Sequence, residues 1–249
     1  STGTITHSAG TLTIGDGNGI DLNVNGTFNA NAAVVINGTV RNSSSITKSA
    51  GGTLTYNATG VYEHNINGGA IPSSVWSTGS TCSFIGQITN NALTGVNQSY
   101  SNVVWNCPSQ TGNLNLSNAL STVNGNFNVV STGSGQLILA STTGLNMNIG
   151  GNISISGGNL MCAAASGMSV TINIGGNFLQ SGGTINISGG NASPVSNNSN
   201  AYLNFNSATN TQTIEQTGGS IGGSAGNFVN WQISTTGSGS VRLLSNLNL

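Results

Sequence analysis

Apolar and polar residues alternate along most of this chain, in short runs separated by glycine-rich breaks. In one such run Val170, Ile172 and Ile174 alternate with Thr171 and Asn173. Successive side chains of a β-strand point to opposite faces, so a period of two gives a strand one apolar face. The pattern predicts many short strands, each with one side buried.

The strands recur at a regular interval, most clearly between residues 145 and 188. Overlaying the two copies pairs Gly150 with Gly175 and Asn152 with Asn177, and in both pairs the residue numbers differ by the same amount (175 − 150 = 177 − 152 = 25). A period of roughly 20 to 50 residues indicates a solenoid, a propeller or an array. We therefore predict an all-β fold, a right-handed parallel β-helix (β-solenoid) with about ten rungs of about 25 residues.

Three blocks of the chain differ in regularity. Residues 1–60 predict irregular solenoid rungs, residues 61–108 predict junction rungs that carry tryptophan and cysteine, and residues 109–249 predict regular rungs. A loop insertion is expected near residues 191–200, because the step from Gln180 to Gln216 (216 − 180 = 36) is longer than the period found before it.

Composition restricts the possible partners. Charged residues make up 3% of the chain and its net charge is −1, whereas an ordinary soluble domain has roughly 25% charged residues. Nucleic acid needs a basic patch, which three Lys and Arg residues cannot form. No apolar run approaches the ~18 residues that span a membrane. We expect an extracellular protein that keeps itself soluble with Asn, Ser and Thr, whose side chains can form hydrogen-bonded ladders between rungs.

One resemblance is carried by four segments, which are Tyr62-Glu-His-Asn-Ile-Asn-Gly-Gly-Ala-Ile-Pro72, Trp76-Ser-Thr-Gly-Ser-Thr-Cys82, Asn97-Gln-Ser-Tyr100 and Trp105-Asn-Cys-Pro108. Together with the Gly-Gly-Asn-Phe and Gln-Ser-Gly-Gly-Thr rungs that follow, they make the chain similar to the very large repeat-bearing surface proteins of Bacteroidetes. Such proteins are typically exported by the type IX secretion route. The resemblance implies a surface or adhesin-like structural role and implies no catalytic residues.

Two cysteines form a candidate disulfide. The separation of Cys82 and Cys107 along the chain (107 − 82 = 25) equals the period of the rungs. Adjacent strands lie about 4.8 Å apart, within the range of Cα separations that a disulfide accepts. We expect either a bridge between neighbouring rungs or two buried thiols, and Cys162 is expected to be a core thiol without a partner.

Three tryptophans are the candidate ligand-stacking residues. Trp76, Trp105 and Trp231 could stack on sugars, although tryptophans of a solenoid are more often core or corner residues.

No constellation of residues indicates catalysis, a metal or another cofactor. Glu63 and His64 are adjacent in a strand, so their side chains should lie on opposite faces. Acid–base catalysis needs two matched groups at one site, and the other acidic residues, Asp16, Asp21 and Glu215, are scattered. The loop at residues 15–21 resembles a calcium loop but lacks the full pattern of either calcium motif, so a solvated turn is the preferred interpretation.

Threonine pairs suggest a further alternative. Thr-x-Thr begins at Thr4, Thr11 and Thr53, as in ice-binding solenoids, where such pairs line one flat face at every rung. The pairs do not recur between residues 110 and 188, where the rungs are most regular.

These observations favour a non-catalytic extracellular structural protein, a stiff β-solenoid segment of a cell-surface adhesin or filament. The first alternative is a carbohydrate-binding adhesin module and the second is an ice-binding solenoid. Because repeat arrays need capping units, we expect the stack to be extended end to end, by self-association or by further chain. Surface glycans are the other expected partners.

Overall fold

Parallel β-strands build the whole of the computed structural model, which describes residues 3–15, 18–165, 167–187, 200–223 and 228–248. The first strands are β1 (Thr4–His7), β2 (Thr11–Ile14), β3 (Ile20–Val24), β4 (Thr27–Ala30), β5 (Ala33–Ile36), β6 (Thr39–Asn42), β7 (Ser45–Lys48), β8 (Thr53–Tyr56), β9 (Val61–His64) and β10 (Gly69–Ala70). The middle strands are β11 (Val75–Trp76), β12 (Thr81–Phe84), β13 (Leu93–Thr94), β14 (Ser99–Tyr100), β15 (Asn102–Asn106), β16 (Asn113–Asn115), β17 (Thr122–Val123), β18 (Phe127–Ser131) and β19 (Gln136–Ala140). The last strands are β20 (Leu145–Ile149), β21 (Ile153–Ile155), β22 (Asn159–Ala163), β23 (Ser169–Ile174), β24 (Phe178–Ile187), β25 (Asn200–Phe205), β26 (Thr211–Gly223), β27 (Phe228–Ile233) and β28 (Ser240–Leu243).

Each turn of the solenoid has three sides. Over most of the chain a strand pairs with the strand three places later, as in β1–β4–β7, β2–β5–β8–β11 and β3–β6–β9–β12. We call the side that contains β1 face 1, the side that contains β2 face 2, and the side that contains β3 face 3. Face 2 includes β14–β17–β20–β23–β25–β27, and the long strands β24 and β26 pass from face 3 to face 1. The stack has about 9 turns that lie about 24 residues apart, so the predicted parallel β-solenoid is confirmed.

The core consists of columns of inward side chains, one from each turn. A column on face 3 contains Val40, Tyr62, Cys82, Val103, Phe127, Ile153 and Phe178, all buried. This ladder crosses both predicted block boundaries, because β6, β9, β12, β15, β18, β21 and β24 belong to one continuous sheet. The predicted junction block contains four two-residue strands, β10, β11, β13 and β14.

The Gly-Gly-Asn repeat forms a corner of the solenoid. The side-chain Oδ1 of Asn126 accepts the backbone N–H of Asn152 at 2.8 Å, and Oδ1 of Asn152 accepts that of Asn177 at 2.7 Å. A Cβ at Gly176 would lie 2.4 Å from Oδ1 of Asn152, so a side chain there would break the ladder. Each asparagine provides a hydrogen-bond acceptor for a backbone N–H of the next turn, and this requirement explains why these positions repeat in the sequence.

Strands β24 and β26 pair across a long turn. Gln180 pairs with Gln216, and the side chain of Gln216 donates to Oε1 of Gln180 at 3.0 Å. Residues 191–199 of the expected insertion lie outside the described residues, and residue 200 begins β25.

Candidate functional site

Two of the three candidate tryptophans lie inside the solenoid. Trp105 is 1% exposed, its ring stacks on Phe84 with centroids 4.8 Å apart, and its Nε1 donates to Oε1 of Gln110 at 3.0 Å. Trp76 is 9% exposed and stacks on Tyr56 with centroids 4.6 Å apart. A ring that stacks on a sugar must face solvent, so the ligand-stacking interpretation of these two residues is wrong.

The third tryptophan belongs to an inward column near one end. Trp231 pairs with buried Leu203, stacks on Phe205 at 6.0 Å and meets Phe178 edge-on at 5.2 Å. Its Nε1 is buried and lacks a hydrogen-bond partner within the described chain. Trp231 is therefore a half-buried core aromatic rather than a surface platform.

Of the two alternatives for Cys82 and Cys107, the structure shows two free, buried thiols and no disulfide between them. Cys82 pairs with Val103, so this turn is shorter than the period that the sequence suggests. Cys107 therefore falls four positions past the paired one (107 − 103 = 4), about 13 Å along a strand. Burial raises the pKa of Cys107 to about 11 and that of Cys162 to about 12, so these thiols stay protonated and unreactive.

A buried hydrogen-bonded chain surrounds His64. Its Nε2 donates to the carbonyl oxygen of Gly68 at 2.8 Å, which fixes Nδ1 as the acceptor for the Tyr62 hydroxyl at 3.0 Å. The side-chain amide of Asn42 donates to the same hydroxyl oxygen at 2.9 Å. Burial lowers the pKa of His64, so the folded protein holds the imidazole neutral.

This buried imidazole predicts a pH-dependent stability. The unfolded chain takes up the proton near pH 6.5, but the folded chain does so only at lower pH. Stability is therefore complete above pH 6.5, and we expect about 1 to 2 kcal/mol to be lost between pH 7 and pH 5. Urea denaturation across this range, followed by circular dichroism, measures the effect. His64→Gln should have a flat profile over the same range, and an equal slope in both proteins would contradict the assignment.

The acidic residue beside this histidine lies on the other side of its strand, as expected. Glu63 accepts from Nε of Arg41 at 2.6 Å across two neighbouring turns, and both side chains are partly exposed. An exposed pair of this kind contributes little to stability. Glu63 and His64 therefore do not form an acid–base pair.

Asp21, the last residue of the loop that resembles a calcium motif, lies in strand β3. One oxygen of its carboxylate accepts the backbone N–H of Thr39 at 2.7 Å. Asp16 lies outside the described residues. Groups of three or more His, Cys, Asp or Glu side chains that could hold a metal are absent from the described part of the chain.

The threonine pairs do not share one face. Thr11 and Thr13 occupy the same two columns of face 2 as Thr53 and Thr55, whereas Thr4 is on face 1. Alanine and valine occupy the turn between them, at positions 33 and 35. The repeated threonine array of an ice-binding surface is thus interrupted after a single turn.

In the later turns, most outward side chains of face 2 are amides. Four strands, β20, β23, β25 and β27, contribute two outward columns that we call the amide face. The first column is Asn146, Thr171, Tyr202 and Asn230, and the second is Asn148, Asn173, Asn204 and Gln232.

Hydrogen bonds join the amides of this face between turns. The side-chain nitrogen of Asn173 donates to Oδ1 of Asn146 at 2.6 Å and to Oδ1 of Asn148 at 2.9 Å. The nitrogen of Asn204 donates to Oδ1 of Asn173 at 2.8 Å. Sequence reasoning missed this face, because the regular period fails between Asn173 and Asn204, whose sequence separation is 31.

Comparison with known proteins finds no relative of this chain: no family model, no curated protein and no solved structure matches it. The resemblance to Bacteroidetes surface proteins therefore stays a prediction. Within the described residues, no helix is long and apolar enough to cross a membrane.

Proposed function

We propose that this chain is a non-catalytic structural segment of an extracellular adhesin or filament, in which the solenoid is a stiff rod that spaces or displays other parts. The main support is the continuity of the buried columns. Inward residues of face 3 stack in register from turn to turn, so bending the rod would open apolar contacts along its whole length.

The surface composition supports an extracellular location. Cross-turn ladders such as Asn148–Asn173–Asn204 supply polarity without charge, and only 3% of the chain is charged. In a parallel stack a charged residue would face its counterpart about 4.8 Å away, where like charges repel. Because the asparagine ladders are uncharged, we expect their hydrogen bonds to depend little on salt concentration or pH.

The two end turns support end-to-end stacking. Ile5 is 59% exposed at the first turn, although its column neighbour Phe28 is 3% exposed. At the other end, Ile233 is 62% and Leu243 is 54% exposed, and both continue buried columns. A further turn laid on either end would cover these side chains and pair the open strand edges. We propose a second copy of the chain, or continuation of the stack, as the partner there.

Size-exclusion chromatography with light scattering, together with electron microscopy, tests this partner. We expect linear assemblies of the 249-residue chain, and we expect Ile233→Asp and Leu243→Asp to disperse them into monomers, because each places a charge at the stacking surface. Val75→Asp is the matched control, since Val75 is 56% exposed but lies on the side of the rod. Monomeric wild-type protein would reject self-association, and dispersal by Val75→Asp would reject the end surfaces as its location.

A carbohydrate-binding adhesin module is the second candidate, and one observation favours it. The amide face presents uncharged donors and acceptors around a single outward tyrosine, Tyr202. Binding along the side of the rod is compatible with stacking at its ends.

A further inference from the structure

The amide face contains one aromatic ring, that of Tyr202, surrounded by amide side chains. Tyr202 is half-buried in the first column, between Thr171 and Asn230. On the side toward the first turns, Asn146 and Asn148 are exposed, and on the other side Gln232 is exposed. Tyr202 is outward because the residues on both sides of it, Ala201 and Leu203, fill buried columns.

The asparagines are held in place before any ligand arrives. Asn146 and Asn148 both accept from Asn173 through their side-chain oxygens, so these bonds do not use their side-chain N–H groups. Asn204 is 9% exposed and is anchored on both sides, since it donates to Asn173 and accepts from the Ser234 hydroxyl at 2.7 Å. Side chains that are already ordered lose little conformational entropy on binding.

The chemistry of the face selects among ligand classes. None of its eight outward residues is charged, which disfavours nucleic acid and acidic polysaccharides. A protein partner would need several large apolar anchors at the centre of the patch, and Tyr202 is the single large ring. Amides offer a donor and an acceptor side by side, which match the adjacent hydroxyl groups of a sugar.

The spacing of the face also suits a sugar chain. Successive strands are about 4.8 Å apart and the four strands span about 14 Å. Successive units of an extended β-linked hexose chain repeat at nearly the same interval as the strands. One sugar per turn would place a ring face on Tyr202, hydroxyl groups of the next sugar over Gln232, and hydroxyl groups of the sugar two turns before it over Asn148.

We propose that the amide face binds a neutral, extended β-1,4-linked polysaccharide, with the Tyr202 ring as the stacking platform and the exposed amides as hydrogen-bonding partners. This inference rests on the proposed extracellular role, because glycans are the polymers that a surface segment meets.

Depletion binding of the full chain to microcrystalline cellulose and to chitin, with heparin beads as the charged comparison, tests the inference. We expect saturable binding to at least one neutral polymer that withstands high salt. Tyr202→Ala should weaken it about ten-fold, because the stacking surface is lost, and Tyr202→Phe should stay within about two-fold of wild type. Asn148→Ala should weaken binding less than Tyr202→Ala does. Thr13→Ala, on the same face in the early turns, should bind as wild type does.

Circular dichroism of each variant separates lost binding from lost folding, and Tyr202→Phe repeats the test with a minimal change. Wild-type protein that ignores both neutral polymers, or binds only heparin, would overturn the inference, and so would a folded Tyr202→Ala that binds at full strength. Linear assemblies that bind no polymer would reject this inference and leave the structural proposal intact. Monomers that bind a neutral polymer would support this inference and reject self-association.

Discussion

Replacing Ile172 with aspartate should lower the free energy of unfolding by at least about 4 kcal/mol. Ile172 is fully buried in a column between Met147 and Leu203, which are buried as well. A carboxylate at this position would lie among apolar side chains of three turns without a partner. The effect is measured by urea denaturation and by protease susceptibility near residues 145–187.

Thr171→Asp is the matched control for this prediction. Thr171 precedes Ile172 in the same strand but belongs to the outward column of the amide face. The same charge placed there stays solvated, so we expect a change within about 0.5 kcal/mol. Equal losses in the two variants would contradict the assignment of Ile172 to the inward side and Thr171 to the outward side of β23.

Replacing Trp105 with alanine should cost about 3 to 5 kcal/mol of folding free energy. The ring fills the interior between turns, packs on Phe84 and caps the side-chain oxygen of buried Gln110. Alanine would leave a cavity and an unpaired buried oxygen. Urea denaturation followed by circular dichroism measures the loss.

Trp105→Phe separates the two contributions of this side chain. Phenylalanine keeps a ring against Phe84 but cannot donate to Gln110, so we expect a loss of about 1 to 3 kcal/mol. Wild-type stability in Trp105→Ala would place the ring outside the core. The ligand-stacking interpretation of Trp105 would then return.

Which side chains of a strand point inward and which point outward could be predicted from the sequence, because this alternation is a local property. The alternation of Val170, Ile172 and Ile174 sets which side chains share a side of β23, and the structure buries all three. The same reasoning correctly separated Glu63 from His64. The Gly-Gly-Asn period could also be predicted from the sequence, because the corner at which Asn152 accepts the backbone N–H of Asn177 needs the same residues in each turn.

Register could not be predicted from a single period, because the turns differ in length. Phe28 pairs with Ile46 at a sequence separation of 18, whereas Phe178 pairs with Ile214 at a separation of 36. A loop at a corner can lengthen while the strands on both sides keep their ladders. For this reason Cys82 faces Val103 rather than Cys107.

The sequence by itself determined that this chain forms short parallel strands with one buried side, stacked with a period near 25 and low in charge. The tertiary structure alone decided which strands pair between turns. This pairing places Trp105 in the core, separates Cys82 from Cys107, and positions Tyr202 among the asparagines of one face. The physical reason is that alternation is imposed on each strand by its own pleat. The partner of each strand is instead chosen by packing between residues far apart in the chain, through corners of unequal length.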